Sequence, residues 1–152
     1  MKKIVVLGVG NRLMGDDGFG PRVIEALEKR DIPSNVEVMD AGVGGMAILS
    51  WIEGADKVVI IDSVQTGNEP PGTVYRFTDK ELPPSDMFML SLHDLNLVDT
   101  INIGRIVQKM PDEIIILGVE VKRVAEFDDR LTPEVEAAMA EVIDLVTEEI
   151  KK

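Results

Sequence analysis

Apolar and polar positions along this chain switch between a period of two and a period near four, and the switches mark out its elements. Ile4-Val5-Val6-Leu7 is an unbroken apolar run and reads as a buried strand over residues 2–7. Val23, Ile24 and Leu27 then recur at helical spacing, which predicts a helix over 20–30. Asp31-Ile32-Pro33-Ser34-Asn35 is a turn. Residues 36–39 predict a short second strand that ends at Asp40. A glycine loop, Ala41-Gly42-Val43-Gly44-Gly45, leads into a short helix over 46–53, closed by Gly54. Residues 57–61 are nearly all apolar, as the centre of a parallel sheet requires, and this third strand ends at Asp62-Ser63. After a Gly/Pro-rich turn, Val74-Tyr75-Arg76-Phe77 alternates and reads as an edge strand. It follows the third strand too closely for a helical crossover, so it is expected to run antiparallel.

Residues 78–91 form a longer loop with Pro83-Pro84 and an apolar patch, Met87-Phe88-Met89-Leu90, and His93 stands just beyond it. A helix over 94–110 places Leu97, Ile101 and Gly104 on one face. The last strand is expected over 113–119, followed by a charged loop over 120–130. Thr132 is placed to N-cap the final helix, with Pro133 at its first position. Val135, Ala138, Met139, Val142, Ile143 and Val146 form that helix's core-facing stripe. The order β-α-β-α-β-β-α-β-α is that of a doubly wound α/β fold with a five-stranded, mostly parallel sheet and one antiparallel edge strand. A length of 152 residues suits one domain over 1–152, and no internal repeat or linker interrupts it.

Composition narrows the partners. Aromatic residues are only 4%, so the core is built from Val, Ile, Leu, Ala and Met. A net charge of −12 argues against nucleic acid or an anionic membrane. Most of that acid lies in helical segments, where solvated faces account for it. The absence of cysteine excludes disulfides, a thiolate nucleophile and a Cys-ligated metal. The N-terminus runs directly into a strand without a signal-peptide pattern, and no apolar run is long enough to span a membrane. A soluble, cytoplasmic monomer is the default expectation.

The chemistry collects in the first strand-to-helix loop, Gly8-Val9-Gly10-Asn11-Arg12-Leu13-Met14-Gly15-Asp16-Asp17-Gly18-Phe19-Gly20. Its glycines allow positive φ and close backbone approach. Its adjacent carboxylates repel phosphate and attract cations. Asp40 and Asp62 end the second and third strands, so parallel strands would bring all four acids to one sheet edge. The single histidine, His93, returns to a helix start at that same edge. Two carboxylates about 4 Å apart repel by roughly 1 kcal/mol in water and by several times that in a protein pocket. Such a cluster needs a cation, a shared proton or separation. Two carboxylate oxygens and one imidazole nitrogen suit a divalent transition metal.

Plainer roles fit the same residues. Asp40 and Asp62 can each cap the turn or helix that follows. Asp16 is the better candidate of its pair for an ordinary turn and N-cap, because neighbouring side chains seldom point the same way. A lone histidine before a helix can be a cap or a surface residue. Gly8-x-Gly10 with Asp40 at the next strand end also imitates a dinucleotide-binding fingerprint, but position 13 is Leu13 rather than the third glycine. A non-catalytic nucleotide- or flavin-binding module stands as the alternative, with the acids as the objection to it.

Gly8-x-Gly10-Asn11-x-Leu13-x-Gly15-Asp16-Asp17-Gly18-x-Gly20, Asp40-Ala41-Gly42, Ile61-Asp62, Leu92-His93-Asp94, Ile116-Leu117-Gly118 and Leu131-Thr132-Pro133-Glu134-Val135 together resemble the [NiFe]-hydrogenase maturation endopeptidases. The resemblance covers nearly the whole chain in order. It implies a three-layer α/β/α sandwich. It implies an endopeptidase that removes the C-terminal extension of a hydrogenase large-subunit precursor once nickel has been inserted. Nickel is then carried by the precursor, which is the partner. The family's nickel-binding acid, strand-end aspartate and histidine fall on Asp17, Asp62 and His93. The first of these is Glu in some members, so Asp17 shortens that arm by one methylene. The resemblance also marks Asp40 as important for processing. The protease would add O, O and N donors to a nickel already held by the precursor's thiolates. Water attack could be assisted by the metal or by an aspartate pair sharing a proton. The patch Met87-Phe88-Met89-Leu90 either lines the groove for the precursor's tail or tucks over the core.

Overall fold

A computed structural model describes residues 1–43, 45–82, 97–122, 124 and 127–152. Five strands form one sheet in the order β2-β1-β3-β5-β4. They are β1 (Ile4–Gly8), β2 (Val36–Asp40), β3 (Lys57–Val64), β4 (Val74–Thr78) and β5 (Glu113–Glu120). The pairs β1/β2, β1/β3 and β3/β5 are parallel. Strand β4 runs antiparallel along the outer side of β5, as expected of an edge strand. Every residue of β1 and β3 is buried, whereas β2 and β4 are mostly half-exposed, so the apolar runs mark the sheet's centre.

Helices cover both faces. On one side lie α1 (Phe19–Glu28), α4 (Pro133–Ala137) and α5 (Met139–Lys151). Val23, Ile24, Leu27, Val135, Val142 and Val146 meet Val6, Val59, Ile61 and Leu117 there. On the other side α2 (Ala47–Ile52) and α3 (Leu97–Val107) bring Ile48, Leu49, Ile52, Val98 and Ile101 against Val5, Leu7, Val58, Ile60 and Ile116. Alternate side chains of each central strand feed the two cores. The fold is the anticipated three-layer α/β/α sandwich.

Most element ends shift by a few residues from the sequence reading, among them the helix read to residue 110, which ends at Val107, and three departures have a physical reason or consequence. Strand β3 does not stop at Asp62-Ser63 but pairs through both residues to Val64, because β5 is also longer and supplies the partners Gly118, Val119 and Glu120. The final helix is two segments, interrupted at Ala138. Thr132 occupies the N-cap position of α4 without a capping bond from its side chain, because its hydroxyl is engaged elsewhere.

Chain order places the site. From β1 the chain passes to β2 on one side, and β3 lies on the other. This is the switch point of an open α/β sheet, where a crevice opens beyond the carboxyl ends of the strands.

Candidate functional site

The loop after β1 and the end of β3 meet at that crevice. Asp17 lies in a single 3-10 turn, Gly15–Gly18, directly before α1. One carboxylate oxygen, Oδ2, accepts the Asn11 N–H at 3.0 Å, which folds the loop back on itself. Its other oxygen, Oδ1, accepts the Ser63 hydroxyl at 2.7 Å. Ser63 in turn donates its backbone N–H to Asp62 Oδ1 at 2.8 Å. One serine thus joins the two acids, and Asp62 and Asp17 come together as their chain positions foretold.

Glycine is required where the loop closes on itself. A Cβ on Gly10, whose φ is +142°, would lie 1.9 Å from the Asp17 carbonyl oxygen. A Cβ on Gly20 would lie 2.5 Å from the Val9 carbonyl oxygen and 2.7 Å from that of Ile61. These glycines seat α1 on the ends of β1 and β3. In a dinucleotide fold the equivalent freedom admits a pyrophosphate; here the chain's own carbonyl fills the space beside Gly10.

Burial raises the affinity of both acids for protons. Desolvation lifts the Asp17 carboxyl above its usual range, opposed by the Ser63 hydroxyl and the Asn11 N–H. Asp62, only 5% exposed, is pushed up much further, first by burial and then by the negative charge of Asp17. Two desolvated carboxylates, one of them further raised by the other's charge, will bind a cation in place of the proton or share one proton. Among the described residues no three His, Cys, Asp or Glu side chains form a group able to hold a metal, so this pair offers two donors. His93 and the patch Met87-Phe88-Met89-Leu90 lie outside the described residues.

Asp16 points away from Asp17, as the alternation of neighbouring side chains predicts, but it is not an N-cap. Fully buried, it accepts the Thr132 N–H at 2.7 Å, the Thr132 hydroxyl at 2.9 and 3.0 Å, and the Lys122 N–H at 2.9 Å. It therefore ties the functional loop to the chain after β5 and to the start of α4. Two backbone bonds add to this tie: Gly15 N–H to the Asp128 carbonyl at 2.7 Å and Asp128 N–H to the Leu13 carbonyl at 3.0 Å. Asp40 makes an exposed turn, its Oδ1 accepting the Gly42 N–H at 2.7 Å. It stands on β2, with β1 between it and β3, roughly 10 Å from the strand that carries Asp62 at ordinary strand spacing. Its place is on the rim of the crevice.

Sequence reading passed over Ser63 and the partners of Asp16. Ser63 carries one visible signal, a hydroxyl inside an apolar strand next to an acid. The Asp16–Thr132 contact spans 116 positions and has none.

Known proteins give a consistent picture. The family model described as HycI, hydrogenase maturation protease, matches residues 21–149. The hydrogenase 2 maturation protease of Escherichia coli K12 is 35% identical over 145 residues, covering 95% of this chain and 88% of that protein. Among solved structures, the hydrogenase maturating endopeptidase HybD of E. coli superposes with a TM-score of 0.86 at 34% identity, over 98% of this chain and 92% of that one. The hydrogenase 2 maturation peptidase of a Thaumarchaeota archaeon gives 0.75 at 33% identity over 99% of both chains.

Proposed function

This chain belongs to the hydrogenase maturation protease family, and on that premise we propose that it cleaves the C-terminal extension from a [NiFe]-hydrogenase large-subunit precursor that already carries nickel. The observation that carries this reading is the meeting of Asp17 and Asp62 across Ser63 at the switch point of the sheet. Nickel is part of the substrate, presented by the precursor. Asp17 and Asp62 supply two carboxylate oxygens, and His93 supplies the nitrogen. The donor set fits the ion: two repelling, desolvated acids gain by facing a dication, and oxygen and imidazole donors complement thiolates already on the metal. Nickel-free precursor lacks that partner, so cleavage waits for metal insertion.

Bond breaking needs a water positioned against the scissile carbonyl. A carboxylate of the site assists the attack of that water by accepting its proton and passing it to the leaving amine. Ser63 and Asn11 fix Asp17 in place. Asp40 acts from the rim, ordering the second glycine loop through Gly42. The reading takes the protein as a cytoplasmic monomer; among the described residues no helix is long and apolar enough to cross a membrane.

Substitution tests these roles. Asp17→Ala, Asp62→Ala and His93→Ala should each abolish cleavage of nickel-loaded precursor while leaving the far-UV circular dichroism of the fold intact. Full cleavage by His93→Ala would remove the histidine from the site and with it the nitrogen donor.

A further inference from the structure

Two exposed large apolar residues are carried by neighbouring stretches of backbone at the loop that holds Asp17. Phe127 is 89% exposed and Leu13 is 56% exposed. They are brought into register by a parallel bridge between Met14 and Asp128, the residues that follow each of them. The bonds Asp128 N–H to Leu13 carbonyl and Gly15 N–H to Asp128 carbonyl close that bridge. Leu13 itself donates its N–H to the Asn11 side chain at 2.9 Å, and Asn11 donates to Asp17. The loop bearing Leu13 is therefore tied through Asn11 to the Asp17 carboxylate.

Phe127 is also the one described residue other than glycine with a positive φ, +59°. A bulky side chain in the left-handed region costs free energy, and a ring that is 89% exposed recovers little of it by burial. Glycine or asparagine would occupy this position at less cost. A strained backbone carrying an exposed ring signals a contact outside the chain.

We propose that Leu13 and Phe127 form the docking point for an apolar side chain of the precursor near its cleaved bond. The proposal rests on the proteolytic reading above and deepens it. The occupant is the precursor because Leu13 belongs to the same loop as Asp17, the residue proposed to meet the precursor's metal, and is tied to it through Asn11. The carboxylates then supply recognition of the metal, and the apolar pair supplies grip on the polypeptide. Such grip acts equally in ground and transition states, so its loss raises KM and leaves kcat unchanged.

Phe127→Gly separates grip from folding, because it relieves the backbone while deleting the ring. With nickel-loaded precursor, Phe127→Gly should melt at or above the wild-type temperature, bind at least about ten-fold more weakly and show KM raised by a similar factor. Its kcat should stay within about two-fold of wild type, and Leu13→Ser should shift KM in the same direction. Unchanged precursor affinity in Phe127→Gly overturns the proposal. Binding is measured as well as cleavage, which keeps the two readings apart. Wild-type protein that binds precursor without cutting it contradicts the proteolytic reading, and the docking point is then judged by affinity alone. A wild-type dimer that Phe127→Gly dissociates assigns the surface to a second copy and also overturns the proposal.

Discussion

Asp62 is held where its own charge is disfavoured. Its charge sits buried beside Asp17, and both burial and that neighbour oppose ionisation. The folded state is therefore less stable with Asp62 ionised than with a neutral side chain of the same shape. Asp62→Asn keeps an acceptor for the Ser63 N–H and removes the repulsion. It should raise stability by about 1 kcal/mol, a gain of roughly 2–4 °C in Tm for a chain of this length, and abolish cleavage. Differential scanning calorimetry beside a cleavage assay checks both halves. Asp17, Asp40 and Asp62 were legible because strand ends of a parallel sheet share one edge, so position in the chain gave position in space. Their individual bonds were not. Its sequence position makes Asp16 the better candidate for a local turn and cap, yet its carboxylate reaches Thr132 and Lys122, contacts that exist only after the last strand and helix have docked.

At the level of elements, the glycine loop and the helix after it act as one rigid part. The N-terminal turn of α1 rests on the carbonyls of Val9 and Ile61, with no room for a methyl group at Gly20. Gly20→Ala should cost about 1–3 kcal/mol, since the obstructing atoms are backbone and cannot rotate away. It should also lower kcat, because lifting α1 drags Asp17 off Ser63; chemical denaturation and steady-state kinetics measure the two effects. The strand and helix order was readable from periodicity alone. Element ends were not: the reach of β3 to Val64 depends on pairing with β5, and the break at Ala138 leaves no mark in an otherwise regular apolar stripe. The antiparallel direction of β4 followed from the shortness of its connection, whereas its place beside β5 is set by the sheet as a whole.

Across the whole molecule, the two edges of the sheet divide the labour. Far from the crevice, Lys57 at the start of β3 is wholly buried. Its ammonium lies 2.8 Å from Glu149 Oε2 and donates to the Glu149 carbonyl at 2.7 Å, while Arg76 donates to Glu149 Oε1 at 2.9 Å. This cluster fastens α5 to β3 and β4. Despite the cost of burial, these two cations hold the Glu149 carboxyl at about 2, below its usual 4.5. A depressed acid stabilises the fold above its unfolded value and loses that contribution as pH falls through the folded one. On the order of 3 kcal/mol should thus be lost between about pH 5 and pH 2. Glu149→Gln should lower Tm at pH 7 and flatten stability across that acid window, with kcat at pH 7 unchanged, since the crevice is at the opposite edge. Thermal melts at several pH values test this.

In the proposed function, nickel on the precursor licenses the cut. The most direct measurement mixes the purified protein with matched precursor preparations, one loaded with nickel and one free of it, and follows loss of the C-terminal extension. Rapid cleavage of the loaded precursor and none of the nickel-free one is the predicted result. Equal cleavage of both would contradict recognition through Asp17, Asp62 and His93.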